Sequence, residues 1–138
     1  VKKTAKALGV AGASCALVLG MHGQALAADH TMHTGDPFGS VSGWSGEGYF
    51  NEYGDVVTIC DKESDGYAVV MHVSLDDAYG AEKYNFYVGG DGRCATRKAS
   101  MGGAYDLPEN RNIGFLFCRH KNGVSSGNCK AYKFYNDN

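Results

Sequence analysis

Tyr67-Ala68-Val69-Val70-Met71-His72-Val73-Ser74-Leu75 decides the fold. In an extended chain successive side chains point to opposite faces. Tyr67, Val69, Met71, Val73 and Leu75 therefore share one face, and Ala68, Val70, His72 and Ser74 the other. Both faces are mostly apolar, which predicts a central strand covered on its two sides. Ser64-Asp65-Gly66 immediately before it reads as a hairpin turn, because glycine adopts the positive φ that such turns require.

Outward from this strand the chain repeats short aromatic and β-branched runs separated by turn residues. Further strands are expected over 49–53, 56–60, 83–88, 93–97, 112–118 and 129–135. Turns are expected at Gly54-Asp55, Gly89-Gly90-Asp91-Gly92 and Lys121-Asn122-Gly123. About seven short strands and no helical period predict an all-β chain: an immunoglobulin-like antiparallel β-sandwich rather than a closed barrel. Within 112–118, Ile113, Phe115 and Phe117 alternate with Gly114, Leu116 and Cys118 and read as a buried strand.

The cysteines divide in an informative way. Cys15 lies in an N-terminal apolar stretch, and Cys60, Cys94, Cys118 and Cys129 fall among the strands. Four cysteines allow three pairings, and spacing favours Cys118 with Cys129 across a turn-rich connection, leaving Cys60 for Cys94. Each bridge is worth about 3 to 4 kcal/mol in the chain-entropy model. No CxxC spacing supports a zinc site, and no base pattern supports a cysteine nucleophile.

Residues 1–27 read as a signal peptide: a basic start at Lys2, Lys3 and Lys6, an apolar stretch to about Met21, and Ala25-Leu26-Ala27 as a cleavage site. The stretch is broken by Gly9, Gly12, Ser14 and Gly20 and is too short for a membrane anchor. A secreted, extracellular protein is expected. Three of the 13 Lys and Arg and none of the 15 Asp and Glu lie in this segment, so cleavage leaves an acidic chain. Such a balance does not suggest a nucleic-acid or anionic-membrane partner.

Residues 28–45 show neither a two-residue nor a 3.6-residue period and read as an extended N-terminal arm ahead of a disulfide-bonded domain over 46–138. Asp29, His30, Thr31, Met32, His33 and Asp36 are polar or isolated residues of that arm. Pro37, Phe38 and Trp44 punctuate it as candidate anchors. His30 and His33, with Asp29 and Asp36 nearby, make an incomplete and unoriented metal set and read as solvated arm residues. An arm with aromatic anchors suits a segment that engages a partner by strand addition or insertion into a cleft.

Signals for catalysis are sparse. The chain has no Gly-x-Ser-x-Gly elbow, no His-Glu-x-x-His, and no Lys-Ser/Thr ending after its glycine cluster. Asp61-Lys62-Glu63-Ser64-Asp65-Gly66 imitates the opening of a calcium loop, but His72 stands where a bidentate Glu is needed, and a turn is the better reading. Asp76-Asp77 reads as a solvated loop pair, His72 as a half-buried strand residue and His120 as a loop residue. No enzyme activity and no cofactor are expected. Nine Tyr, six Phe and one Trp exceed what a small core can hide, and exposed rings of this kind anchor interfaces.

The run from Gly48 through Asp61 (GYFNEYGDVVTICD), then Asp65-Gly66-Tyr67-Ala68-Val69, Cys94, Pro108-Glu109, Phe117-Cys118 and Cys129, resembles the small secreted β-sandwich proteins of Streptomyces and related actinobacteria. Within that group the chain is similar to the adaptor subunit of umbrella toxin particles. The resemblance implies a non-catalytic bridge in a bacterial antagonism complex. Its arm would enter a cleft of a lectin-bearing subunit built on a trypsin-like domain, and its sandwich would grip the repeat-containing stalk of a polymorphic toxin. Carried onto this sequence, the arm is Asp29 to Trp44, with Pro37 and Phe38 as preferred anchors. The alternatives are a secreted protease inhibitor and a carbohydrate-binding module.

Overall fold

A computed structural model of the chain describes residues 29–35, 44–121 and 124–137, with residues 124–126 described as backbone. The signal segment, Ala28, Asp36, Pro37 and Phe38 lie outside the described residues. Among the described residues eight strands form two antiparallel four-stranded sheets. They are β1 (His30–His33), β2 (Gly46–Asn51), β3 (Val56–Asp61), β4 (Ala68–Leu75), β5 (Glu82–Gly89), β6 (Cys94–Arg97), β7 (Arg111–Lys121) and β8 (Val124–Asn136). The first sheet runs β1-β2-β3-β6 and the second β5-β4-β7-β8.

The chain crosses from the first sheet to the second after β3, returns after β5 and crosses again after β6. This connectivity is immunoglobulin-like, with one strand added outside the first sheet. Both disulfides, Cys60–Cys94 and Cys118–Cys129, form as the spacing suggests. Each lies within a sheet, linking β3 to β6 and β7 to β8, rather than joining the sheets as the bridge of antibody domains does.

β4 takes the central place expected of it, paired with β5 on one side and β7 on the other. Val69, Met71 and Val73 are fully buried between the sheets, where they meet Ile113, Phe115 and Phe117 of β7 and Phe50, Val57 and Ile59 of the first sheet. On its outer face Val70 and Ser74 are buried too. The loop over residues 76–80 lies across Gly114, which has no room for a Cβ beneath the Asp77–Ala78 backbone. Asp76 takes a positive φ there and accepts two hydrogen bonds from Arg111 at 2.8 and 2.7 Å.

Three expectations change. Ser64-Asp65-Gly66 has the positive φ at Gly66 that its chemistry requires, yet it joins strands of different sheets and is not a hairpin turn. His120 is a strand residue of β7 opposite Ala68. The sheet also begins before Gly46, because residues 30–33 form the edge strand β1. Two short 3-10 turns, Ala99–Met101 and Gly103–Tyr105, follow β6. The Arg97 guanidinium lies 4.9 Å from the Phe86 ring centre and 5.7 Å from that of Tyr105.

Asp55, in the β2–β3 turn, is a buried polar tie. Its carboxylate accepts hydrogen bonds from the Leu107 amide at 2.8 Å and the Asn136 side chain at 3.0 Å, joining the turn to the segment before β7 and to the end of β8. Burial holds its carboxyl above the usual carboxylate range, against the lowering effect of those two hydrogen bonds. Asp65 moves the other way. Burial pulls it up, but hydrogen bonds from the Arg119 guanidinium and the Tyr67 amide together outweigh that and hold it low.

Two predictions follow from this frame. The bridges close segments of 34 and 11 residues. Replacing Cys60 and Cys94 by Ser should therefore cost about 4 kcal/mol, and replacing Cys118 and Cys129 about 3 kcal/mol, in urea unfolding. An Asp held above its unfolded value supports the fold fully only below that value, and this support is lost as pH rises through the folded one. An Asp held low loses its support as pH falls. Thermal midpoints measured from acid to neutral pH should show Asp55→Asn removing a loss on the rising side and Asp65→Asn removing one on the acid side.

Candidate functional site

The aromatic corner begins with β1, whose alternation is set by His30, Met32 and Thr34 pointing inward. Met32 and Thr34 are fully buried. The His30 ring stacks on Phe134 with centroids 4.0 Å apart and nearly parallel planes, and reaches Phe50 at 5.9 Å. Its Nε2 lies 2.6 Å from Glu52 Oε1, while Asp29 accepts the Glu52 amide at 2.8 Å. His30 is thus a half-buried sheet residue rather than a solvated one. Its imidazole occupies the place of an apolar side chain by offering a flat face to two phenyl rings.

His33 points to the opposite side and stacks on Trp44 with ring centres 3.9 Å apart. The histidines therefore do not converge, and among the described residues no three His, Cys, Asp or Glu side chains are grouped to hold a metal ion. The main chain of His33 is held by Tyr132 of β8: its amide donates to the phenol oxygen at 2.8 Å, and its carbonyl accepts from that hydroxyl at 2.9 Å. The Gly35 amide donates to the Asn128 carbonyl at 2.7 Å, and Thr34 Oγ1 accepts from the Gly46 amide at 3.0 Å. These bonds anchor both ends of the connection over 36–43, between two strands that are themselves paired from His33–Glu47 to His30–Phe50.

Trp44 stands at the return of that connection with 46% of its surface exposed. Around it a concavity of about 250 Å³ is lined by His33, Trp44, Gly46, Glu47 and Lys62. Glu47 and Lys62 form an ion pair at 3.4 Å on its rim. Burial first, and then the Glu47 carboxylate, push the Tyr49 phenol up, so it stays neutral on the same sheet. Of the residues expected in the arm, the structure brings together Asp29 with His30, and His33 with Trp44, while Thr31 projects outward exposed. Glu47, Lys62 and Tyr132 belong to this corner although the sequence did not single them out. The alternation of Lys130, Tyr132, Phe134 and Asn136 is the signal that puts Tyr132 on the inward face.

The corner offers a stacked indole, a rim of opposite charges and a doubly anchored connection. Among the described residues no helix is long and apolar enough to cross a membrane. Together with the two disulfides this is compatible with an extracellular protein. No protein-family model, curated protein or solved structure matches the chain.

Tyr132→Phe deletes both bonds to His33 while keeping the ring. It should cost about 1 to 3 kcal/mol in urea unfolding, since one amide and one carbonyl lose their partner.

Proposed function

We propose that the protein is a secreted, non-catalytic adaptor that bridges a lectin-bearing subunit, built on a trypsin-like domain, and the repeat-containing stalk of a polymorphic toxin. The observation that carries the reading is the exposed Trp44, stacked on His33 at the return of a connection fixed at both ends. That connection includes Pro37 and Phe38, the anchors the family resemblance favours. A tethered segment loses less conformational freedom on entering a cleft than a free arm does.

The second contact falls on the opposite side of the sandwich. β1 and β8 meet at one edge through Tyr132, whereas β5 ends the second sheet at the other edge, paired among the described residues with β4 alone. An eight-residue edge strand with open main-chain groups suits strand addition by a partner. Two contacts on opposite edges let one small domain hold two large proteins without a clash between them. Tethering at both ends also meets a requirement of a protease-inhibitory loop, which keeps inhibition as the second reading.

Because β1 is part of the sheet, deleting residues 28–45 would damage the fold, and point substitutions are the proper test. Tagged protein recovered from native culture medium should retain both partners. Trp44→Ala and Phe38→Ala should each lose the lectin-bearing subunit and keep the toxin stalk, as read by mass spectrometry. Loss of neither partner from the two folded variants would contradict the assignment. Stoichiometric inhibition of a protease, abolished by Trp44→Ala, would replace the adaptor with the inhibitor.

A further inference from the structure

A second concavity, of about 480 Å³, lies at the end of the second sheet, where β4 begins and β5 and β7 finish. It shares no lining residue with the concavity around Trp44. Gly66, Ala68, Gly89 and Gly90 contribute main chain and one methyl group as a floor to its lining, with the Arg93 side chain against Gly90. Ala68 is in register with Gly89 on one side and His120 on the other, and a Cβ at Gly66 would meet open space.

Its walls are chemically specific. Tyr87 stands beside the floor with 65% of its surface exposed, on a strand whose neighbouring face is largely covered. The Tyr67 ring is fixed differently: the Arg119 guanidinium lies over it, 3.6 Å from its centre, and is itself paired with Asp65. Lys121 Nζ sits 5.0 Å from the same ring. Among the described residues Lys121 has no carboxylate within ion-pair distance, although Asp and Glu outnumber Lys and Arg in the chain. His120, whose ring centre is 6.5 Å from that of Tyr87, adds a polar edge.

We infer that this concavity binds one acidic sugar residue, a uronate, of a polysaccharide. A pyranose presents an apolar C–H face that an open tyrosine ring can cover, and hydroxyls that an imidazole edge can reach. A uronate adds the carboxylate that an unpaired ammonium would neutralise. Glycine and alanine at half of the lining positions leave room for a flat ring, and the volume lies in the range of small-molecule sites. An acidic peptide would satisfy Lys121 but would leave Tyr87 and the flat floor without a matching face. This site is independent of the Trp44 corner, so either assignment can fail without the other.

Titration of the mature protein with trigalacturonate, followed by calorimetry and amide chemical shifts, tests the inference. Galactotriose serves as the neutral comparator and oligoglutamate as the charged, non-sugar one. Trigalacturonate should bind more tightly than either comparator, with shifts at Ala68, Gly89 and His120. Tyr87→Ala should weaken it by tenfold or more, on the order of 1.4 kcal/mol, and Lys121→Gln should abolish the preference for uronate over neutral sugar. Tyr79→Ala, another exposed tyrosine on a separate loop, should leave binding unchanged. Absence of saturation by about 10 mM trigalacturonate, a concentration that would detect even millimolar affinity, would overturn the inference. So would tighter binding of oligoglutamate, or full binding by Tyr87→Ala.

Discussion

The attachment of β1 is the constraint on which the aromatic corner depends. A four-residue edge strand offers few ladder bonds, and an isolated strand of that length is not stable alone. What fixes it is help from the other sheet. The Tyr132 hydroxyl satisfies the amide and the carbonyl of His33 together, the Gly35 amide reaches Asn128, and Phe134 lies flat under His30. Met32 then fills the core beside Phe50 and Phe117. Trp44 acquires its stacking partner only because His33 is held in this way.

The opposite edge is closed by different means. There Arg97 lies near Phe86 and Tyr105, and Tyr105 meets Tyr84 edge-on at 4.8 Å. Burial pushes the Tyr84 phenol well up, with the Asp55 charge adding to the effect, so it is neutral at any physiological pH. Asp55 reaches across the same end to Leu107 and Asn136. The edges therefore differ in character: one is sealed by a tyrosine on main chain, the other by rings packed edge-on beneath a guanidinium. Among the described residues the outer main-chain side of β5 is free of strand pairing.

Much of the sandwich was legible because the period-two signal is strong wherever β-branched and aromatic residues line the core. β3, β4, β5 and β7 were recognisable to within a few residues for that reason. The disulfides were legible because one cysteine pair brackets a short return and leaves a single partner for each of the others. β1 was not. Its inward His30, and Thr34 just beyond its end, are polar types, and they pack because the Phe134 ring of β8 and the buried Gly46 amide of β2 receive them. Ser64-Asp65-Gly66 was misread because turn chemistry fixes a local φ and says nothing about which sheet receives the next strand. At the candidate site, Trp44 could be picked out as an isolated ring in a polar segment. Glu47 and Lys62 could not, since only the folded register brings them to it, and the alternation along β8 gives Tyr132 its face but not its partner His33.

Amide hydrogen exchange over residues 30–33 in the free mature protein tests the central claim most directly. If β1 is built into the sandwich, the bonded amides of this segment exchange with protection comparable to those of β2, and the aromatic corner stands ready before any partner arrives. Exchange at the rate of an unstructured chain, with β2 still protected, would make the segment a free arm and would remove the fixed stack of His33 on Trp44 from the account.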